Sequence, residues 1–229
     1  MKKLVFVVIL SFFCLFANAQ KFNELINLQK YEKANAELAA PAKEEKRVVF
    51  IGNSITEGWV RQRPDFFKEN NYIGRGIGGQ TSPQLLSRFR QDVINLKPVA
   101  VVINIGTNDI AENTGPYDHD FTLGNIMSMA ELADANGIKV ILSSVTPAAG
   151  YKWRTTIENV PEKIMALNAA IEAYAKEKGF AYIDYFPVLK DDNNALKAAY
   201  GDDGVHPNAI AYEIMEKTAK TVIDKVIKK

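Results

Sequence analysis

The chain has 229 residues, with 28 Lys and Arg against 27 Asp and Glu and a formal net charge of +1. A near-neutral chain without basic runs argues against nucleic acid as its partner. Its single cysteine, Cys14, excludes a disulfide within the chain, so stability must come from packing.

In chain order, the first segment reads as an export signal. Lys2 and Lys3 form a basic start, Leu4 to Phe16 an apolar run, and Ala17-Asn18-Ala19 a small-x-small cleavage site. The run is short for a bilayer span, which favours a cleaved peptide over an anchor. Phe13 before Cys14 does not fit a lipid-modified cysteine, where a small residue is usual. Cleavage after Ala19 would send residues 20–229 to the periplasm or outside the cell as one domain with a sizeable core. It would also remove Cys14, Lys2 and Lys3, leaving a formal charge of −1 and no cysteine nucleophile. No later segment is long and apolar enough for stable membrane insertion. Residues 21–40, charged and Ala-rich before Pro41, read as an N-terminal helix on the outside of the domain.

From residue 46 onward, short apolar runs alternate with amphipathic stretches. Val48–Ile51, Val99–Ile105, Ile138–Val145 and Phe180–Ile183 read as buried strands, with Tyr72-Ile73 a weaker one. Helical stripes run from Leu85 to Leu96 before Pro98, and from Ile164 to Tyr174 before Gly179. A third runs from Ala211 to Val226, and a helix is expected between Phe121 and Asn136, ended by Gly137. The alternation predicts an α/β fold, a three-layer α/β/α sandwich around a parallel sheet of about five strands. Functional residues in such folds sit at the carboxyl ends of the strands.

Four stations stand there. The first strand runs into Gly52-Asn53-Ser54-Ile55-Thr56, where Ser54 either caps a helical turn or meets negative charge at its N-terminus. The second ends in Gly74-Arg75-Gly76-Ile77-Gly78-Gly79-Gln80. The spacing of Gly74, Gly76 and Gly79 matches a dinucleotide-binding fingerprint, but Asp92, the acidic residue at the right distance, falls inside a helix and not at a strand end. The alternative is a backbone brought close to a ligand, with the Gly79 N–H exposed and no Cβ in the way. The third ends in Gly106-Thr107-Asn108-Asp109, a polar turn or an amide donor aimed toward Ser54. Last comes Asp203-Gly204-Val205-His206-Pro207. Here His206 is either the N-cap of the final helix, with Pro207 at its first position, or a proton shuttle oriented by a carboxylate.

In these stretches the chain resembles the SGNH (GDSL-type) hydrolase superfamily, named for four residues that stand here, in the family's order, as Ser54, Gly79, Asn108 and His206. The resemblance spans roughly residues 47–225. It implies a flavodoxin-like sheet and an esterase working through an acyl-enzyme. Ser54 would be the nucleophile, His206 the base and Asp203 its orienting carboxylate. The Ser54 and Gly79 N–H groups and the Asn108 amide would form the oxyanion hole. It implies neither cofactor nor metal, and no His/Asp/Glu cluster has a convincing metal spacing. One position departs from the usual pattern: Asn53 stands where Asp is commonest.

Trp59, Tyr151, Trp153 and Arg154 are the candidate substrate contacts, since aromatic rings stack on sugars and pack on acyl groups. His119 is expected to cap or line the polar loop 113–120. With export, the family suggests a short acyl group, acetyl above all, on carbohydrate. A lysophospholipase or a general short-chain carboxylesterase is the rival activity. A non-catalytic carbohydrate-binding protein on the same scaffold is the rival of another class, and it predicts a damaged constellation.

Overall fold

The computed structural model describes residues 23–228; the expected signal segment and its cleavage point at Ala19 lie outside them. Five strands, β1 (Val48–Gly52), β2 (Tyr72–Gly76), β3 (Ala100–Asn104), β4 (Lys139–Ser143) and β5 (Ala181–Ile183), pair in parallel in the order β2-β1-β3-β4-β5. β1 and β3 are buried at every position, as their unbroken apolar runs require. Along β1 the side chains alternate between two layers. Val49 and Ile51 join the core beneath α2 (Ser82–Asp92), α3 (His119–Ala135) and α4 (Val160–Lys178). Val48 and Phe50 join the core beneath α1 (Ser54–Gln62) and α5 (Ala209–Lys228). The strand order reverses between β1 and β3, so the crevice of the fold opens at their carboxyl ends.

Three elements differ from expectation, each for a local reason. The stripe expected to run from Leu85 to Leu96 ends as a helix at Asp92 and continues as a 3-10 turn, Ile94–Leu96. The segment expected as one helix over 21–40 is broken: Asn27 adopts a left-handed conformation, φ 54°, and a 3-10 turn and a five-residue helix, Glu32–Ala36, follow. Side-chain amides of the domain take the carbonyls that a continuous helix would use. Gln84 Nε2 donates to Leu25 O, Gln80 Nε2 to Ile26 O and Gln91 Nε2 to Leu28 O, each at 2.6 Å. His119 lies not in the loop but at the start of α3, whose cap is Asp118.

Buried polar groups tie the strand-end loops together. Arg88 of α2 is fully buried and donates to Gly52 O at the end of β1 (2.9 Å), to Gln80 Oε1 (2.7 Å) and to Asp92 Oδ2 (2.8 Å). Asp92 is itself buried and accepts a further bond from Asn35 Nδ2. Asp109, after β3, accepts the Ser82 N–H and, at 2.6 Å, the Ser82 hydroxyl, which joins the third strand's loop to the second's. Burial pushes its carboxyl up to about 6, against the lowering effect of the Ser82 bonds.

Two outcomes follow. Arg88→Met strands the Asp92 carboxylate without its buried partner and should cost about 3–5 kcal/mol in urea unfolding; a loss below about 1 kcal/mol would contradict the role given to this cation. A carboxyl whose folded pKa is raised contributes stability that is complete below its unfolded pKa and is lost as pH rises through the folded value. Wild type should therefore lose up to about 3 kcal/mol relative to Asp109→Asn between pH ~4 and ~6.5. A difference between the two proteins that stays level with pH would refute this.

Candidate active site

The chain brings Ser54 and His206 together by docking α1 on α5. Trp59 of α1 stacks on Tyr212 of α5 with ring centroids 5.5 Å apart, and the Tyr212 hydroxyl donates to Ile55 O at 2.8 Å. Arg63, just past α1, makes two bonds of 2.9 Å to the Glu216 carboxylate. With the helices so fixed, Ser54 Oγ lies 2.8 Å from His206 Nε2, and His206 Nδ1 lies 2.6 Å from Asp203 Oδ2. A carboxylate can only accept, so the Nδ1 proton belongs on Asp203 and Nε2 is left to accept from the Ser54 hydroxyl.

Asp203 is held in turn. Its Oδ1 accepts the N–H groups of Val205 (2.9 Å) and His206 (2.8 Å). Partial burial acts to raise its pKa, but the His206 and Val205 bonds outweigh it and hold the carboxyl below its ordinary value. It therefore stays ionised, and able to orient the imidazole, at more acid pH than a free aspartate. The cap of α5 is Asn208, whose Oδ1 accepts the Ala211 N–H at 3.1 Å. His206 thus precedes the cap and is free of that duty.

Asn53 caps α1: its Oδ1 accepts the Ile55 N–H at 3.0 Å, a bond that an aspartate could also make. Among the described residues its buried Nδ2 has no partner. The departure from the commoner residue thus preserves the turn that carries Ser54.

The loop from Ile77 to Ser82 crosses the crevice, and its N–H groups can be accounted for one by one. Ile77 donates to Gly52 O (3.1 Å), Gly78 to Glu57 Oε2 (2.8 Å) and Gln80 to Ile77 O (3.4 Å). Thr81 donates to Gln84 Oε1 (2.8 Å) and Ser82 to Asp109. Only Gly79, at φ +76°, has an N–H without a partner among the described residues. The Ser54 N–H, in the first turn of α1, also has none there. Asn108 is buried and donates through Nδ2 to Gln80 O at 2.9 Å, leaving that amide one further hydrogen. A hydroxyl with a base behind it and spare donors near it can attack a carbonyl and receive the resulting oxyanion.

Gly74 and Gly76 lie inside β2 and not in a phosphate-binding turn. A Cβ on Gly74 would come within 2.1 Å of the Val60 side chain, and one on Gly76 within 2.2 Å of Glu57 N. Those glycines admit α1, which removes the dinucleotide reading.

Of the candidate substrate contacts, Trp153 alone is an aromatic ring exposed beside His206. It is 43% exposed, its ring centroid lies 6.1 Å from that of His206, and its Nε1 donates to Asn113 Oδ1. Trp59 is 2% exposed within an aromatic cluster of Phe50, Phe66, Tyr185 and Tyr212, and must be reassigned to the core. Tyr151 is buried beneath Trp153, ring centroids 5.2 Å apart, and supports that ring without being able to stack on a ligand itself. Arg154 is exposed on the same loop. The His119 ring bonds the Tyr117 hydroxyl. Glu57 and Gln62, neither expected at the site, line a cleft of about 350 Å³ with Arg61, Ser54, Asp203 and His206. Glu57 was within reach of sequence reasoning, because i and i+3 share a helix face. A larger hollow of about 600 Å³ lies at the amino ends of β4 and β5 and has none of these groups in its lining.

The chain is 59% identical to a GDSL-like lipase of Bacteroides thetaiotaomicron, whose crystal structure superposes with a TM-score of 0.86 over 88% of this chain and 98% of that one. It is 26% identical over 161 residues to Esterase TesA of Pseudomonas aeruginosa, covering 69% of this chain and 73% of the relative. It is 23% identical over 206 residues to an acetylxylan esterase of Xylanibacter ruminicola, and that match takes in 75% of this chain but only 42% of the relative. The profile of the GDSL-like lipase/acylhydrolase family matches residues 50–214, from within β1 to within α5. The chain belongs to the GDSL-like lipase/acylhydrolase family of carboxylic ester hydrolases.

Proposed function

We propose that the protein is an exported serine esterase that removes short acyl groups, acetyl above all, from carbohydrate through an acyl-enzyme. The observation that carries the reading is the chain Ser54–His206–Asp203, at 2.8 and 2.6 Å, beside a loop whose one N–H without a partner among the described residues is that of Gly79. Ser54 Oγ attacks the ester carbonyl as its proton passes to His206 Nε2. The oxyanion is taken up by the Ser54 and Gly79 N–H groups and the Asn108 amide. His206 then gives its proton to the departing alcohol, and water repeats the sequence to free the acid. Asp203 keeps the imidazole in the tautomer that can accept from serine.

Two features support the substrate class. The cleft beside Ser54 is lined by Glu57, Arg61 and Gln62, polar side chains that suit a sugar better than a long acyl chain. Trp153 offers a half-exposed ring next to His206, the kind of platform on which a sugar stacks. The relative named as an acetylxylan esterase agrees with this choice. Export rests on the N-terminal sequence. An intact constellation runs against a purely carbohydrate-binding role.

A fluorophosphonate should label Ser54, and Ser54→Ala should abolish both labelling and hydrolysis; folded protein without an adduct at Ser54 would overturn the mechanism. Asn108→Ala should lower kcat roughly 100-fold with KM little changed. Acetylated oligosaccharides should be cleaved in preference to long-chain esters and lysophospholipids. Trp153→Ala should raise KM for the acetylated oligosaccharide several-fold, by about 0.5–1.5 kcal/mol of lost stacking, with KM for p-nitrophenyl acetate little changed. Preference for lysophospholipid would refute the carbohydrate assignment.

A further inference from the structure

Among the four residues from Ile77 to Gln80, the peptide between Gly78 and Gly79 is the one unit with no bond of its own: neither Gly78 O nor Gly79 N has a partner among the described residues. Both flanking residues are glycines, with wide backbone freedom. Left to itself, this peptide would turn, and the Gly79 N–H would turn with it. Its orientation is set by pins on the peptides to either side. On one side the Gly78 N–H donates to Glu57 Oε2 at 2.8 Å; on the other Gly79 O accepts from Asn113 Nδ2 at 3.0 Å.

Glu57 is one helical turn beyond Ser54 on α1, so the element that carries the hydroxyl also carries the pin. Its second oxygen, Oε1, pairs with Lys30 Nζ at 2.8 Å. Lys30 comes from the N-terminal segment, which is tied to the end of β2 by the Tyr31 hydroxyl on Gly76 O and to the loop by Gln80 Nε2 on Ile26 O. An unpaired carboxylate beside an oxyanion site would oppose the charge that develops there, and the ammonium offsets it.

We propose that Glu57 is a positioning residue for ester hydrolysis: it fixes the Gly78–Gly79 peptide so that the Gly79 N–H is preorganised for the oxyanion, and Lys30 holds and neutralises it. This rests on the reading of Ser54 as nucleophile and Gly79 as oxyanion donor. It gives the N-terminal segment a part in catalysis through the loop it braces.

The test compares wild type, Glu57→Ala, Glu57→Gln, Lys30→Met and Ser54→Ala in steady-state hydrolysis of p-nitrophenyl acetate and in the rate of fluorophosphonate labelling. Glu57→Ala should lower kcat roughly tenfold with KM within about twofold, and slow labelling in parallel, since a misplaced donor costs less than a deleted one. Glu57→Gln keeps an acceptor for the Gly78 N–H and should recover most of the loss. Lys30→Met should fall between. If Glu57→Ala does not fold by circular dichroism, Glu57→Met, which fills the space without a comparable acceptor, carries the same test. Unchanged kcat and labelling in the folded variant, with Ser54→Ala inactive, would overturn the role of Glu57 alone. A lower melting temperature with unchanged kcat per titrated site would reduce it to a structural contact. An active Ser54→Ala would instead overturn the reading beneath it.

Discussion

The site depends on how closely the backbone of α1 lies against the ends of β1 and β2. A Cβ on Gly52 would come within 2.2 Å of Thr56 Oγ1, and one on Gly76 within 2.7 Å of Asn53 O and 2.2 Å of Glu57 N. No side chain can stand between helix and sheet there, so the helix begins at the sheet edge itself. That contact puts Ser54 and Glu57 on the loop that leaves β2, and it turns the far end of α1 toward α5. The Trp59–Tyr212 stack and the Arg63–Glu216 pair then bring in the chain that carries His206. Two groups 152 residues apart meet because each rides on a helix whose packing is set elsewhere.

Around this contact the polar groups divide into those that are consumed and those that are kept available. Arg88 links Gly52 O, Gln80 and Asp92, Asp109 takes the Ser82 N–H and hydroxyl, and Asn108 takes Gln80 O. Each bond removes freedom from a loop that would otherwise be mobile. What remains available among the described residues is a short set: the Gly79 N–H, the Ser54 N–H, one hydrogen of the Asn108 amide and the buried Asn53 Nδ2. Preorganisation here is a matter of accounting for the other donors, and it carries a cost in buried charge at Arg88, Asp92 and Asp109.

Much of this was legible in the sequence. Unbroken apolar runs marked β1, β3 and β4 because strands covered on both faces have no polar side, and the stations at their ends marked the crevice. Asp203 and His206 stood out by spacing as either a helix entry or a proton shuttle, and the family resemblance favoured the second. Other features were not legible, because they depend on contacts across the fold. Trp59 looks the same in a sequence whether it stacks on a ligand or, as here, on Phe66 and Tyr212. The N-terminal segment has helical composition, yet Gln80, Gln84 and Gln91 take its carbonyls and break it. The Gly74/Gly76 pattern imitated a phosphate loop, when its cause was the approach of α1.

The most direct test of the account is a crystal structure of the protein with a phosphonate adduct. Phosphorus should be bonded to Ser54 Oγ, with one phosphonyl oxygen about 3 Å from the Gly79 N–H, the Ser54 N–H and the Asn108 amide together. An adduct whose oxygen turns to solvent, with the Gly79 N–H pointing elsewhere, would contradict it.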